Sequence, residues 1–183
     1  MQTEVILVNE QDEPIGVMEK MEAHQKGALH RAFSIFVFDK AGKLLLQQRA
    51  AQKYHGGGLW TNTCCSHPFP DETAATAATR RLEEEMGFTT PLQKVFDFTY
   101  QAVVENGLVE HEFDHVFVGE YEGTIRINEN EVAAYGWEAM PAIKEAITKT
   151  PANFTTWFRI VFPRIEAWWQ QQYSDKKEKV ESI

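Results

Sequence analysis

The sequence predicts a single mixed α/β domain, with strands before and after one central helix and two helices at the end. Short β-branched and aromatic runs such as residues 31–39 (RAFSIFVFD) end at turn residues, which is typical of strands. An alanine-rich segment with capping residues at both ends predicts the central helix. The length of 183 residues fits one domain that can bury a real core.

Turn and cap residues divide the chain into short elements, and no internal repeat is visible. Strands are predicted over residues 3–9, 15–18, 31–39, 43–49, 92–104, 108–121 and 132–137. The third and fourth flank a turn at Ala41-Gly42, which indicates a hairpin. Helices are predicted from Asp71-Glu72-Thr73 to about Met86, closed by Gly87, and over 141–148 and 152–173. We expect the charged residues 174–183 to form a frayed tail of this single domain, 1–183.

Composition and charge exclude several classes of protein. A net charge of −9 argues against a general nucleic-acid binder, which needs a basic surface. The start of the chain has no signal-peptide pattern, and no apolar stretch approaches the ~20 residues that span a bilayer. The two cysteines are adjacent and cannot staple the fold, so we expect free thiols in a reducing compartment. We therefore expect a cytoplasmic protein with no membrane or nucleic-acid partner, and the oligomeric state stays open.

The segment Thr61–Pro68 (TNTCCSHP) places a thiol close to an imidazole. Alternate residues of an extended chain share a face, so Cys65 and His67 point one way and Cys64 points the other way. We expect Cys65 to be the chemically active thiol and Cys64 to be a buried structural one.

The segment Glu110-His111-Glu112 places two carboxylates at a spacing of two. On a strand Glu110 and Glu112 share one face, and His111 faces away from them. A thiol, an imidazole and two aligned carboxylates can make both a metal site and an acid–base pair.

The stretch from Ser66 to Phe88 resembles the signature of the Nudix family, G-x(5)-E-x(7)-R-E-U-x-E-E-x-G-U, where U is aliphatic. The matching residues are Glu72, Arg80, Leu82, Glu84, Glu85 and Gly87, with Phe88 in the last position. Ser66 replaces the leading glycine, and Arg81 replaces the first glutamate of the helix. In Nudix hydrolases the helix glutamates gather metal ions against a diphosphate. Arg81 instead attracts phosphate, and Glu85 lies four residues later on the same face, where it can hold Mg²⁺.

Nearly the whole chain resembles the type I isopentenyl-diphosphate isomerases, a Nudix-fold family. The segments that carry the resemblance are His24…His30-Arg31-Ala32-Phe33-Ser34, Leu59-Trp60-Thr61-Asn62, Cys64-Cys65-Ser66-His67-Pro68, Arg80–Gly87 and Tyr100…Glu110-His111-Glu112. The resemblance implies Nudix-like mixed β-sheets packed with helices. It also implies an enzyme that interconverts isopentenyl and dimethylallyl diphosphate for isoprenoid biosynthesis, by protonation and deprotonation through a carbocation.

The same resemblance implies roles for individual residues. Cys65 and Glu112 would be the catalytic pair, with Tyr100 hydrogen-bonded to Glu112. The metal ligands would be His24, His30, His67, Glu110 and Glu112, with Glu85 holding a separate Mg²⁺ against the diphosphate. The substrate pocket would be formed by Trp60, Trp157, Lys20, Arg49, Lys53 and Arg81.

The implied ligand set of three imidazoles and two carboxylates suits Mn²⁺ or Zn²⁺. The step from His24 to His30 is one residue shorter than is usual in the family, and Gly27 can absorb the difference. Nothing resembles a flavin site, so no flavin is expected. We expect His55, His111 and His115 to be ordinary surface or core histidines.

Two alternative functions compete with isomerisation. A Nudix hydrolase of a nucleoside diphosphate derivative would keep a glutamate where this chain has Arg81, and it would not need Cys65. A non-catalytic metal-binding or scaffold domain would show no activity that depends on Cys65. Conversion of isopentenyl diphosphate to its isomer, compared with release of phosphate, separates the three.

Overall fold

The computed structural model describes residues 4–181, with side chains as far as residue 173, and places nine strands in one mixed sheet with four helices around it. The strands are β1 (Glu4–Val8), β2 (Pro14–Glu19), β3 (His30–Phe38), β4 (Leu44–Arg49), β5 (Trp60–Thr61), β6 (Cys64–Ser66), β7 (Gln93–Val103), β8 (Val109–Glu120) and β9 (Val132–Glu138). The helices are α1 (Lys20–Lys26), α2 (Ala74–Met86), α3 (Met140–Lys149) and α4 (Thr156–Glu181). The mixed α/β class predicted from the sequence is confirmed.

Strand β3 lies at the centre of the sheet, and almost every one of its residues is buried. It pairs in parallel with β8 and antiparallel with β6 and β1. The expected hairpin between β3 and β4 is reduced to one pair, Phe38 with Leu44, and β4 pairs mainly with β9. The predicted hairpin is confirmed at its turn, but beyond that pair β3 forms its backbone hydrogen bonds with distant strands.

Two apolar clusters cover the two faces of the sheet. One packs β3, β4, β7 and β8 against α3 and α4, with Phe158 and Ile165 fully buried. The other packs the sheet against α2, where Leu82 and Met86 are fully buried. A strand buried on both faces reads as a continuous apolar run, which is the pattern of β3.

The central helix begins and ends as its sequence predicts. The Thr73 side chain accepts a hydrogen bond from the backbone N–H of Thr76, and Gly87 closes the helix with a φ of 71°. A Cβ at Gly87 would lie 2.2 Å from the carbonyl oxygen of Arg126, so only glycine fits there. Because both ends of the helix are fixed, the positions of Arg81 and Glu85 on it are fixed as well.

Two elements differ from the sequence-based expectation. Residues 20–26 form α1, which was not predicted, and Gly27 ends it in a left-handed conformation with a φ of 62°. Helix α4 continues to Glu181, past the predicted end near residue 173. The side chains of residues 174–183 lie outside the described part, so the frayed tail stays a prediction. Among the described residues, the helices are too short or too polar to cross a membrane.

Candidate active site

Three neighbouring strands place three polar side chains in a row at one end of the sheet. Tyr100 on β7 is paired with Glu112 on β8, and Glu112 is paired with His30 on β3. Paired residues of adjacent strands point to the same face, so these side chains meet. His67 follows directly after β6, and His24 comes from α1.

Imidazoles and a carboxylate converge at this point. The Nε2 atoms of His30 and His67 are 3.2 Å apart, and His67 Nε2 lies 3.0 Å from Glu112 Oε1. His30 Nε2 lies 3.6 Å from the same oxygen. His24 contributes a fourth donor atom, within 4.8 Å of the others. All four residues are buried.

The histidines are oriented by backbone carbonyls. The Nδ1 atom of His24 lies 2.7 Å from the carbonyl oxygen of Lys20, and the Nδ1 atom of His30 lies 2.8 Å from that of Ala28. A carbonyl can only accept, so each Nδ1 carries the proton and each Nε2 presents its lone pair. This arrangement is characteristic of histidine ligands to metals.

The donor set fits a divalent cation. Burial lowers the pKa of His24 to about 4 and that of His67 to about 3, so both imidazoles are neutral at pH 7. Within the described residues His24 Nε2 is buried without a hydrogen-bond partner. Neutral nitrogens beside buried carboxylates leave a negative charge that a divalent ion would balance.

The two carboxylates share Tyr100. The Tyr100 hydroxyl lies 2.7 Å from Glu112 Oε2 and 3.2 Å from Glu110 Oε2. Burial, then the charge of Glu112, raises the pKa of Tyr100 well above its usual value, so its hydroxyl stays a donor. Burial would also raise the pKa of Glu112, but its contacts with the His30 and His67 rings outweigh burial and hold that pKa well below its usual value. Burial raises the pKa of Glu110, opposed by the contact with His55 and helped by the neighbouring charge of Glu112.

The adjacent cysteines point to opposite sides, as the alternation of an extended strand predicts. Cys64 is fully buried in the apolar cluster under α2. Cys65 lines the same pocket as Glu112 and Tyr100. Burial raises the pKa of Cys65 to about 12, so its thiol carries a proton at neutral pH.

Basic residues also line this pocket. They are Lys20, Arg49, Lys53 and Arg81. Burial, and then the charges of Lys53, Arg49 and Arg81, lower the pKa of Lys20. Several cations around one pocket favour the binding of a small anion.

Arg81 and Glu85 form an ion pair on α2, four residues apart. Arg81 also contacts Glu131 at 3.4 Å, and Glu131 is paired with Lys53. The side-chain amide of Gln47 donates to the second oxygen of Glu85 at 2.9 Å. Helical spacing alone predicted the Arg81–Glu85 pair, and the structure confirms it.

Comparison with known proteins agrees with this geometry. A family model for the NUDIX domain matches residues 28–158. An isopentenyl-diphosphate Delta-isomerase of Pectobacterium atrosepticum is 49% identical to this chain, covering 95% of it and 97% of that protein. Another from Burkholderia multivorans is 53% identical, covering 90% of this chain and 93% of that protein. This chain belongs to the isopentenyl-diphosphate Delta-isomerase family.

Solved structures support the fold of the isomerase family. A protein from Deinococcus radiodurans aligns with a TM-score of 0.67 at 17% identity, covering 80% of this chain and 90% of that one. A MutT protein from Methanosarcina mazei aligns with a TM-score of 0.62 at 17% identity, covering 76% and 94%. At these identities the likeness concerns the fold alone, and it confirms the predicted Nudix-like architecture.

Most residues that the isomerase resemblance singled out come together, and one does not. Trp157 is buried in the pocket wall, with the Arg49 guanidinium 5.0 Å from its ring. Trp60 instead lines a separate apolar groove with Phe154 and Ile143. Trp60 is not among the residues that line the pocket holding Cys65, and its contact with the substrate stays a prediction.

Two of the other three histidines have the contacts of ordinary surface or core residues. His111 faces away from the carboxylates, with Nδ1 2.9 Å from the carbonyl oxygen of Gly27. His115 pairs with Asp12 at 2.9 Å. His55 is different: it is buried, lines the pocket and lies 3.0 Å from Glu110. The expectation of an ordinary surface or satisfied core histidine stays a prediction for His55, which is buried beside a carboxylate.

Sequence reasoning also missed two residues that orient the pocket. Glu131 contacts Arg81, and Gln47 donates a hydrogen bond to Glu85. Each lies far along the chain from the residue that it contacts, so no local spacing indicates the pairing. For His55 the available signal was its place in the glycine-rich loop after β4, since functional residues concentrate in loops carried by a rigid scaffold.

Proposed function

We propose that this chain interconverts isopentenyl diphosphate and dimethylallyl diphosphate. The observation that carries the proposal is that one pocket is lined by two kinds of group. Cys65, Glu112 and Tyr100 line it, and so do the four cations Lys20, Arg49, Lys53 and Arg81. This layout matches a substrate with a small reactive hydrocarbon and a diphosphate tail. The names of the curated relatives agree with it.

The reaction moves a double bond by adding one proton and removing another. A proton added to the terminal carbon leaves a tertiary carbocation, and loss of a proton from the neighbouring methylene gives the dimethylallyl isomer. The two steps need an acid and a base on either side of the allyl unit. Cys65 comes from β6 and Glu112 from β8, on strands separated by β3, so they can flank a ligand.

We assign the proton transfers to Cys65 Sγ and to the Glu112 carboxylate with its Tyr100 hydrogen bond. The Tyr100 hydroxyl holds Glu112 Oε2 at 2.7 Å and can stabilise whichever protonation state the carboxyl adopts during turnover. The acid of one direction is the base of the other, so the roles exchange when the reaction runs backwards.

His24, His30, His67 and Glu112, with Glu110 beside them, would hold one divalent ion, for which Mn²⁺ and Zn²⁺ suit the donors. Such an ion supplies electrostatic stabilisation that makes Glu112 a stronger acid. Glu85 would hold a separate Mg²⁺ that neutralises the diphosphate, with Arg81 donating to a phosphate oxygen.

Trp157 protects the reaction. Its ring is buried in the pocket wall beside Arg49 and His55. The π face of an indole stabilises a nearby cation. The same ring excludes water, which would otherwise capture the carbocation as an alcohol. The free thiol of Cys65 must remain reduced to act, which favours a cytoplasmic location.

The alternative is hydrolysis of a nucleoside diphosphate derivative by the Nudix helix. Arg81 stands against it, because a guanidinium paired with Glu85 occupies the position where a hydrolase would gather another metal ligand. The experiment is to incubate purified protein with isopentenyl diphosphate, Mg²⁺ and Mn²⁺ in deuterated water. We expect dimethylallyl diphosphate that carries solvent deuterium. Release of inorganic phosphate would favour the hydrolase, and no reaction would favour a non-catalytic domain.

A further inference from the structure

His55 is a buried polar side chain that the proposed reaction leaves without a use. It lies in the glycine-rich loop between β4 and β5, and it is 6% exposed. Among the described residues neither ring nitrogen makes a well-aligned hydrogen bond, and Nε2 lies against the Glu110 carboxylate. Leaving a polar group buried and unpaired is costly, so such a group in a pocket calls for a ligand.

The position of His55 is fixed by its surroundings. Its ring packs against Tyr54 at 4.3 Å and against Trp157 at 5.5 Å, measured between centroids. Its backbone carbonyl accepts a hydrogen bond from Arg49 at 3.2 Å. Gly56, with a φ of 59°, follows directly, and a Cβ there would lie 3.3 Å from the Trp157 ring. The loop thus holds the imidazole in one place in the pocket wall.

His55 Nε2 lies 3.0 Å from Glu110 Oε1, close enough to pair with it, but the alignment is poor for a hydrogen bond. This spacing is the one expected of neighbouring donors around a single ion. Bonds of about 2.1 Å at right angles put adjacent donor atoms roughly 3.0 Å apart. His67 and Glu112 show the same 3.0 Å, and His30 and His67 show 3.2 Å.

The donor atoms of the site fall into two groups that share His24. One group is His24, His30, His67 and Glu112, and the other is His24, His55 and Glu110. The Nδ1 of His24 is engaged with the carbonyl of Lys20, so Nε2 is its only free donor. One imidazole nitrogen has one lone pair and cannot bridge two ions. If both groups bind metal, they therefore bind the same ion.

We infer that His55 is a sixth protein ligand to that ion, which completes a set of four imidazoles and two carboxylates. The inference rests on the proposed function only through the presence of the divalent ion. His55 lines the pocket, whereas His24 and His30 are fully buried behind it. His55 thus fills the coordination position of the ion that faces the pocket. An ion whose six positions are all filled by protein atoms has no open position for substrate, so it acts through Glu112 rather than by contact with the double bond.

The test measures metal binding without substrate. The protein is stripped with a chelator and titrated with Co²⁺ against a competing indicator, and its visible absorption is recorded. Wild type is expected to bind one ion per chain with the weak absorption of six-coordinate Co²⁺. His55→Ala is expected to bind one ion on the order of 10-fold or more weaker, with stronger absorption as the coordination number falls. His111→Ala, a histidine on the opposite face of β8, is the matched control and should match wild type.

His55→Gln separates a ligand from a hydrogen-bond partner of Glu110, since an amide can still donate a hydrogen bond but is a poor ligand for this ion. We expect His55→Gln to be as weak as His55→Ala. Affinity and absorption equal to wild type in either variant would overturn the inference. The isomerase assay on the wild-type protein is independent of these results, so failure of the proposed function is recognised separately.

Discussion

The adjacent cysteines offer a pair of matched substitutions with opposite expected effects. Cys65→Ala removes a thiol from the pocket, and Cys64→Ala removes one from the core under α2. The two changes are chemically identical and one residue apart. They differ only in the face of β6 that they alter, so each serves as the control for the other.

The expected effect of Cys65→Ala is on turnover. Loss of a positioned proton donor or acceptor lowers the rate by about 10²-fold or more, which corresponds to about 2.7 kcal/mol in the activation barrier. Its effect on stability should be small, because Cys65 borders the open pocket.

The expected effect of Cys64→Ala is on stability. Its side chain is 0% exposed, so losing the sulfur removes one buried atom and leaves a small cavity. That costs about 1–2 kcal/mol, or roughly 2–8 °C in melting temperature for a domain of this size. Turnover per folded molecule should stay near the wild-type value.

The assay combines steady-state conversion of isopentenyl diphosphate with a thermal melt of the same sample. Glu112→Gln provides an inactive reference, and its turnover should fall by a similar factor. If Cys64→Ala is inactive while Cys65→Ala works normally, the facing argument and the assignment of Cys65 are both refuted.

Three further predictions follow from the site. The wild-type protein should keep its divalent ion through gel filtration, and His67→Ala should lose it, as measured by elemental analysis. His111→Ala is the control and should keep the ion. Full activity in a metal-free sample would show that the ion takes no part in the reaction. Arg81→Ala should raise the Michaelis constant by about 10-fold to 10²-fold, the scale of a charge-assisted contact, and leave the ion content unchanged. Arg81→Glu should be worse, because it puts a carboxylate beside the diphosphate; unchanged Michaelis constants would place Arg81 outside the diphosphate site. In the metal-free protein, unfolding should become easier as pH falls from about 6.5 to 4.5, because unfolded histidines take up protons there while His24 and His67, with pKa values lowered to about 4 and about 3, do not. Urea titrations across that range test this, and a His67→Ala variant with an unchanged pH slope would contradict it.

Periodicity and caps predicted the elements that have strong local signals. The alanine-rich helix closed by Gly87 and the alternation of Glu110 and Glu112 are both present. Helix α1 was missed because its seven residues, KMEAHQK, are mostly polar and too few to show a helical period. The pairing of β3 was missed because its partner β8 lies some eighty residues further on, where no turn signal connects them.

The residues of the candidate site also divide into those that local spacing relates and those that only the fold brings together. Cys65 and His67 could be predicted to share a face because they are two residues apart, and Arg81 and Glu85 because they are four apart on a helix. The side chain of Trp60 could not be placed from the sequence, because β5 has only two residues, too few to tell which face its side chains take. His55 has no spacing relation to Glu110, and only folding brings them within 3.0 Å.

The register between β3 and β8 has a consequence for the order of events in folding. His30 stands directly beside Glu112 only when these two distant strands are paired, and β6 must join β3 to deliver His67. Forming such long-range pairings means closing long loops, which is the slow part of folding. A partly folded chain therefore lacks the complete set of metal ligands, so an ion cannot nucleate folding. The ion would bind only after the strands have paired, and it would therefore slow unfolding and leave the folding rate almost unchanged.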